Sequence, residues 1–216
     1  MDTNELLTFI LNHAVLILTL VFLAFMIITG YKIGFFDKII SLGSLLVTLI
    51  LEIRLFPYVM AWMQQNETVR GLFTGLARSV MQLDRDIPDS PLYRILGIDL
   101  LADNAAQMIE NVAARVLCFL VIFIAVRILM GFAARLFDWL RKIRLVDSAD
   151  RLLGAVFGAA EALLLMWVFM LVISGLPANK YCGAVLAQIE ASPLLRILYD
   201  RNLLMMYAGN IFGSFN

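Results

Sequence analysis

Charge is scarce in this chain. Only 16% of its 216 residues are Asp, Glu, Lys or Arg, where a soluble domain carries about a quarter. Such a composition excludes an ordinary water-soluble globule. The 62% hydrophobic share and a mean hydropathy of +0.89 imply an integral membrane protein instead. Neither sign of charge prevails, since 17 basic residues meet 17 acidic ones. Without a basic excess or a polybasic tail, nucleic acid is excluded as a partner.

Catalytic residue types are equally sparse. The single histidine, His13, falls at the edge of the first apolar run with no serine or cysteine nucleophile near it in sequence. An intramembrane aspartyl protease needs two carboxylates at matching depth, whereas Asp37, Asp138, Asp147 and Asp150 all fall at or near the same boundary. No phosphate-binding loop is present, which removes ATP-driven chemistry. The two cysteines, Cys118 and Cys182, offer no metal-ligand spacing and are expected to be ordinary thiols. No enzyme activity, cofactor or metal is expected.

What remains is a set of long apolar runs. Residues 14–30 are uncharged and reach the length needed to cross about 30 Å of hydrocarbon, with Leu6 to Leu11 able to extend the helix. The segment before them is acidic where a signal peptide is basic, so the run is expected to stay as a first span. Residues 39–62 form a second run, with Glu52 and Arg54 placed in its outer half where they can snorkel. Residues 112–134 form a third, uncharged between Arg115 and Arg127, and residues 153–176 a fourth, interrupted by Glu161. The expected fold is all-α, a single membrane domain over 1–216 built as a bundle of four transmembrane helices.

Between spans two and three, residues 63–111 turn polar and acidic. Val69, Leu72, Phe73, Leu76, Val80 and Leu83 nevertheless keep helical period, which predicts an amphipathic helix lying at the interface. A cap packed over the end of the bundle is the simpler version, lipid or partner docking the other. In this loop "SPLYRIL" at 90–96 recurs as "SPLLRIL" at 192–198 in the tail 177–216, each with a serine and proline suited to opening a helix. Two similar helix starts explain this more simply than a repeat.

Four spans put both termini on one side. Lys32 and Lys38 lie in the first short turn, and Arg135, Arg141, Lys142, Arg144 and Arg151 in or beside the last. By the positive-inside rule these turns are cytoplasmic, and both termini, the middle loop and the tail are outside.

Span four carries the densest pattern. Helical steps put Asp150, Gly154, Gly158 and Glu161 on roughly one stripe, and the two glycines make a small-xxx-small pattern that lets another helix approach closely. Glu161 lies about 15 Å beyond Arg151 at 1.5 Å per residue, where a carboxylate needs a partner. Arg127 precedes the last turn by a similar distance and is expected to pair with it. An ion pair that fixes helix register is the simpler role; a proton or ion site is the alternative.

The stretch "VDSADRLLGAVFGAAEALLLMW" resembles the fourth-span signature of the colicin V production protein family, D-R-x-x-G-x-x-F-G, matched by Asp150, Arg151, Gly154, Phe157 and Gly158. The turn "GYKIGFFDKIISLGSLL" resembles the family's first hairpin through Gly30, Gly34 and Phe35. Glu161 and Ala162 depart from an arginine followed by glycine that is frequent there. The resemblance implies a bacterial inner-membrane protein linked to production or export of a peptide toxin. On the residues themselves, Asp150 and Arg151 are suited to capping the start of span four.

Two function classes follow. The first is a non-enzymatic component that packs against export, envelope or division machinery through its small-residue helix faces. The second is a small transporter or channel using Glu161 and Arg127, for which no span is broken by Gly and Pro in the manner of transporter binding sites. The lipid bilayer is the expected partner throughout, with other membrane or envelope proteins, or further copies in a homo-oligomer, left open.

Overall fold

A computed structural model of the chain describes residues 12–81, 90–98, 104–136 and 148–212. Leu6 to Leu11, Leu83, Asp138, Arg141, Lys142, Arg144 and Asp147 lie outside them, as does the side chain of Arg135. The described residues are mostly helical, and none of them forms a strand. The helices are α1 (Ala14–Ile33), α2 (Phe35–Gln65), α3 (Glu67–Val80), α4 (Pro91–Ile95), α5 (Ala105–Leu136), α6 (Ser148–Gly175), α7 (Lys180–Ala191), α8 (Pro193–Asp200) and α9 (Leu203–Phe212). Four of them, α1, α2, α5 and α6, are long and apolar enough to cross a membrane.

These four start or end beyond the apolar runs that announce them. α2 begins at Phe35 rather than 39, and α5 at Ala105 rather than 112. A hydropathy window stops at the first charges, whereas the backbone hydrogen-bond ladder continues until a residue breaks it. Gly34 is such a breaker. Its φ of 95° lies in the left-handed region, and its N–H closes α1 on Gly30 O at 2.9 Å, so that α2 can start at the next residue.

The chain divides into two compact units. The first comprises residues 1–51 and 123–166, the second 52–122 and 167–216. In the first, α1, the opening half of α2, the closing half of α5 and most of α6 bury Met26, Leu45, Leu49, Phe123, Val126 and Ala162. The opposite face of α1 is bare, with Leu18, Val21, Phe25 and Ile28 all more than half exposed.

The second unit is built around the rings of Phe56, Phe119 and Phe212, whose centroids lie 5.5 to 6.1 Å apart in edge-to-face pairs. Ser90 caps α4 by accepting the Tyr93 N–H at 3.3 Å, while its hydroxyl donates to Ser174 O at 2.8 Å. Asn179 and Asn202 cap α7 and α9 through their Oδ1 atoms. Ser192, at the second "SPL", opens α8 without a side-chain bond. Trp167 donates to Leu198 O at 3.1 Å, and Asn202 Nδ2 to Trp167 O at 3.0 Å, so the tail helices are tied to α6. The predicted helix in the middle loop forms as α3, with Leu72 and Leu76 exposed. Its Arg78 pairs with Glu110 at 2.8 Å.

Glu52 departs from expectation. It is fully buried in the second unit, while Arg54 is exposed. Two helical steps turn the side chain by about 200°, so one of the pair must face inward when the other faces out.

Candidate functional site

The site grows from two glycines that touch. A methyl built on Gly30 would collide with Gly154 O, one on Gly154 with Gly30 O, and one on Gly158 with Met26 O. Backbone meets backbone along this stretch of α1 and α6, which only residues without a Cβ permit. The glycine stripe predicted on span four is therefore occupied within the chain.

Asp150 fixes the end of that crossing. Its Oδ1 accepts the N–H of Phe35, the first residue of α2, at 3.0 Å. Capping of α6 alone was the expectation from sequence; the hydrogen bond runs instead to the start of another helix, whose first N–H groups lack intrahelical acceptors. Gly34 lies directly beneath this carboxylate, where a Cβ would strike Asp150 Oδ2, and its positive φ disfavours any side chain independently. The rings of Phe35 and Phe157 stack edge to face at 5.0 Å. Gly30, Gly34 and Phe35 thus meet Asp150, Gly154 and Phe157 as one contact, while Arg151 is exposed.

Deeper in the same unit lies a charged cluster. Glu161 is 3% exposed. Arg127 Nη2 donates to its Oε1 at 3.2 Å, and Arg127 Nη1 to Ser44 Oγ at 3.1 Å. Its shortest ionic contact is with Lys38, whose Nζ lies 2.7 Å from Oε2. Ser41 donates to Oε1 at 2.6 Å. Lys38 was placed by sequence in the basic turn; it is 5% exposed and belongs to the cluster instead. A signal existed, because Lys38, Ser41, Ser44 and Thr48 recur every three or four residues and form a polar stripe on an otherwise apolar helix.

Chemically, a carboxylate with both oxygens engaged by two cations and a hydroxyl is a strong tether and a poor nucleophile or base. Among the described residues, no three His, Cys, Asp or Glu side chains gather as a metal site.

Polar groups of the second unit hold helices together as well. Ser174 Oγ and Tyr199 OH lie 2.6 Å apart. Burial pushes the Tyr199 phenol up to about 12, with Glu190 and Asp200 adding to the rise while Ser174 and Arg94 oppose it. Burial raises the Tyr93 phenol and the Cys182 thiol too.

Four apolar helices and a closely packed glycine crossing define a multi-pass, all-helical membrane protein. It belongs to the colicin V production protein family: the sequence model described as Colicin V production protein matches residues 16–201, a stretch that holds both halves of the glycine contact. The family is not known as an enzyme family. No curated protein and no solved structure matches the chain.

Proposed function

We propose that this protein is a non-enzymatic accessory component of the bacterial inner membrane that serves toxin production or export, or another envelope process, by packing its helices against other membrane proteins. The observation that carries this reading is the two-sidedness of α1. One face is consumed by the Gly30–Gly154 crossing, while Leu18, Val21, Phe25 and Ile28 stand outward as a continuous apolar stripe. Membership of the colicin V production family supports the process.

In this reading the α1–α2 turn and the basic segment before α6 face the cytoplasm, with both termini outside. Helices α3, α8 and α9 lie at the outer interface. Leu72 and Leu76 on α3, Ile197 on α8 and Met206 on α9 supply the apolar faces for that position. Cysteine placed at Lys142 and labelled from outside the cell would overturn the orientation.

The decisive experiment is photo-crosslinking in native membranes from Val21 and Leu152, both exposed. Adducts to one defined subunit of export or envelope machinery support the accessory role. Adducts only within the chain or to a second copy would sink it. The transporter alternative rests on the cluster of Lys38, Arg127 and Glu161, and its test is solute or proton flux in reconstituted vesicles with Glu161→Gln as control. Saturation of both Glu161 oxygens favours a tether over a site of exchange.

A further inference from the structure

Arg127 sits at the rim of the cluster. Its side chain is 31% exposed, against 6% for Lys38 and 4% for Glu161. Ile124, Ile128 and Gly131 share its stripe on α5 by helical spacing. Ile124 and Ile128 are about half exposed, and a side chain added at Gly131 would meet open space. The partly exposed Arg127 side chain therefore borders an exposed apolar stripe of α5.

The formal charges do not cancel. Within the trio, Lys38 and Arg127 contribute two positive charges and Glu161 one negative, an excess of one positive charge over these three side chains. Depth limits what can supply the missing anion. Arg127 is anchored to Ser44, nine residues after Phe35, which is about 14 Å along α2 at 1.5 Å per residue. That is close to the middle of a hydrocarbon layer of about 30 Å. Lipid phosphate stays at the interface, and the two hydrogen bonds prevent the guanidinium from snorkelling toward it. A second copy has little to offer: among the described residues of the four spans, Glu52 and Glu161 are buried, Asp150 is bonded to Phe35, Glu110 to Arg78, and Asp37 lies in the first turn of α2.

We propose that the α5 face centred on Arg127 docks a membrane-spanning helix of another protein that carries one carboxylate at mid-span. This rests on the accessory reading and specifies the partner's chemistry. The carboxylate completes the charge balance, and Gly131 lets the incoming backbone come close.

The test uses the full chain, fluorescently labelled and reconstituted in phosphatidylcholine vesicles with a synthetic leucine–alanine transmembrane helix bearing a single central Glu or Gln. Energy transfer is expected to report about three- to tenfold tighter association of the Glu helix. Arg127→Gln should abolish the preference and Arg127→Lys retain part of it. Because Arg127→Gln also loosens the cluster, Gly131→Trp provides a second check: it leaves Lys38, Glu161 and Arg127 in place and should block both helices. Equal binding of the two helices overturns the proposal, as does a preference that survives both Arg127→Gln and Gly131→Trp. Loss of the preference when phosphatidylglycerol is included assigns Arg127 to lipid and also overturns it, as does self-association that excludes the helix. Equal binding alongside partner crosslinks from Val21 would remove this seam while leaving the accessory reading intact.

Discussion

Asp150 and Phe35, 115 positions apart, are joined by a hydrogen bond of 3.0 Å that seats the carboxylate on the first N–H of α2. The bond makes one device of two sequence motifs. The turn after Gly34 aims an N–H that its own helix cannot satisfy, and the opening turn of α6 supplies the acceptor.

Removing that acceptor has a predictable cost. Asp150→Ala should destabilise the protein by about 1 kcal/mol, the usual worth of a capping side chain, and Asp150→Asn by less, since its amide oxygen still accepts. Gly34→Ala should cost more than either, because it adds an unfavourable φ to a clash with Asp150. Thermal unfolding in mild detergent checks the order.

Glycine substitutions should divide by location. Gly30→Ala, Gly154→Ala and Gly158→Ala each force backbones apart and are expected to cost about 1–3 kcal/mol. Gly43→Ala and Gly131→Ala meet open space and should be neutral or stabilising, since alanine favours a helix interior. Unfolding midpoints of the five variants in one detergent decide it. Equal losses at all five would refute the crossing as the cause.

Glu161→Gln leaves the buried Lys38 and the half-buried Arg127 without their counter-charge and should cost about 3–5 kcal/mol. Adding Lys38→Met should recover a large part of the loss. Exchanging Arg127 and Glu161 should recover little, because an arginine at 161 would then face Lys38 at the distance that now joins Lys38 to Glu161. Expression level and melting temperature of the single and double variants measure both effects.

Tyr199 makes the fold sensitive to alkali. Its phenol, raised from 10.0 to about 12 by burial first and nearby carboxylates second, holds its proton more tightly folded than unfolded. Its contribution is therefore fully present below about pH 10 and is lost as pH climbs through about 12. Tyr199→Phe should give a shallower loss of stability over that window. Following phenolate absorbance alongside helix content would show whether unfolding and ionisation coincide.

Much of this was readable from residue order. The four spans follow from uncharged runs long enough to cross a bilayer, because no shorter-range effect competes with hydrocarbon for twenty consecutive apolar side chains. The glycines could be marked as places of close approach, since their spacing sets which helix face they occupy. Their partners could not. Nothing in "DRLLGAVFG" states that Asp150 serves a turn more than a hundred residues earlier.

Lys38 shows where the limit lies. By sequence it is one of two lysines near a turn, and charge near a turn ordinarily means solvent. The fold instead turns it inward, because Glu161 and Arg127 arrive from two other helices at the same level and a buried carboxylate is stabilised by every donor within reach. Glu52 was misplaced for the related reason that helical phase, and not distance from the span's end, decides which side chain snorkels. Hydrophobicity and spacing, which act locally along the chain, determined that this protein spans a membrane on four helices and where they pack closely. Pairing of charges and caps depends on which helices become neighbours, and that was settled only by the tertiary structure.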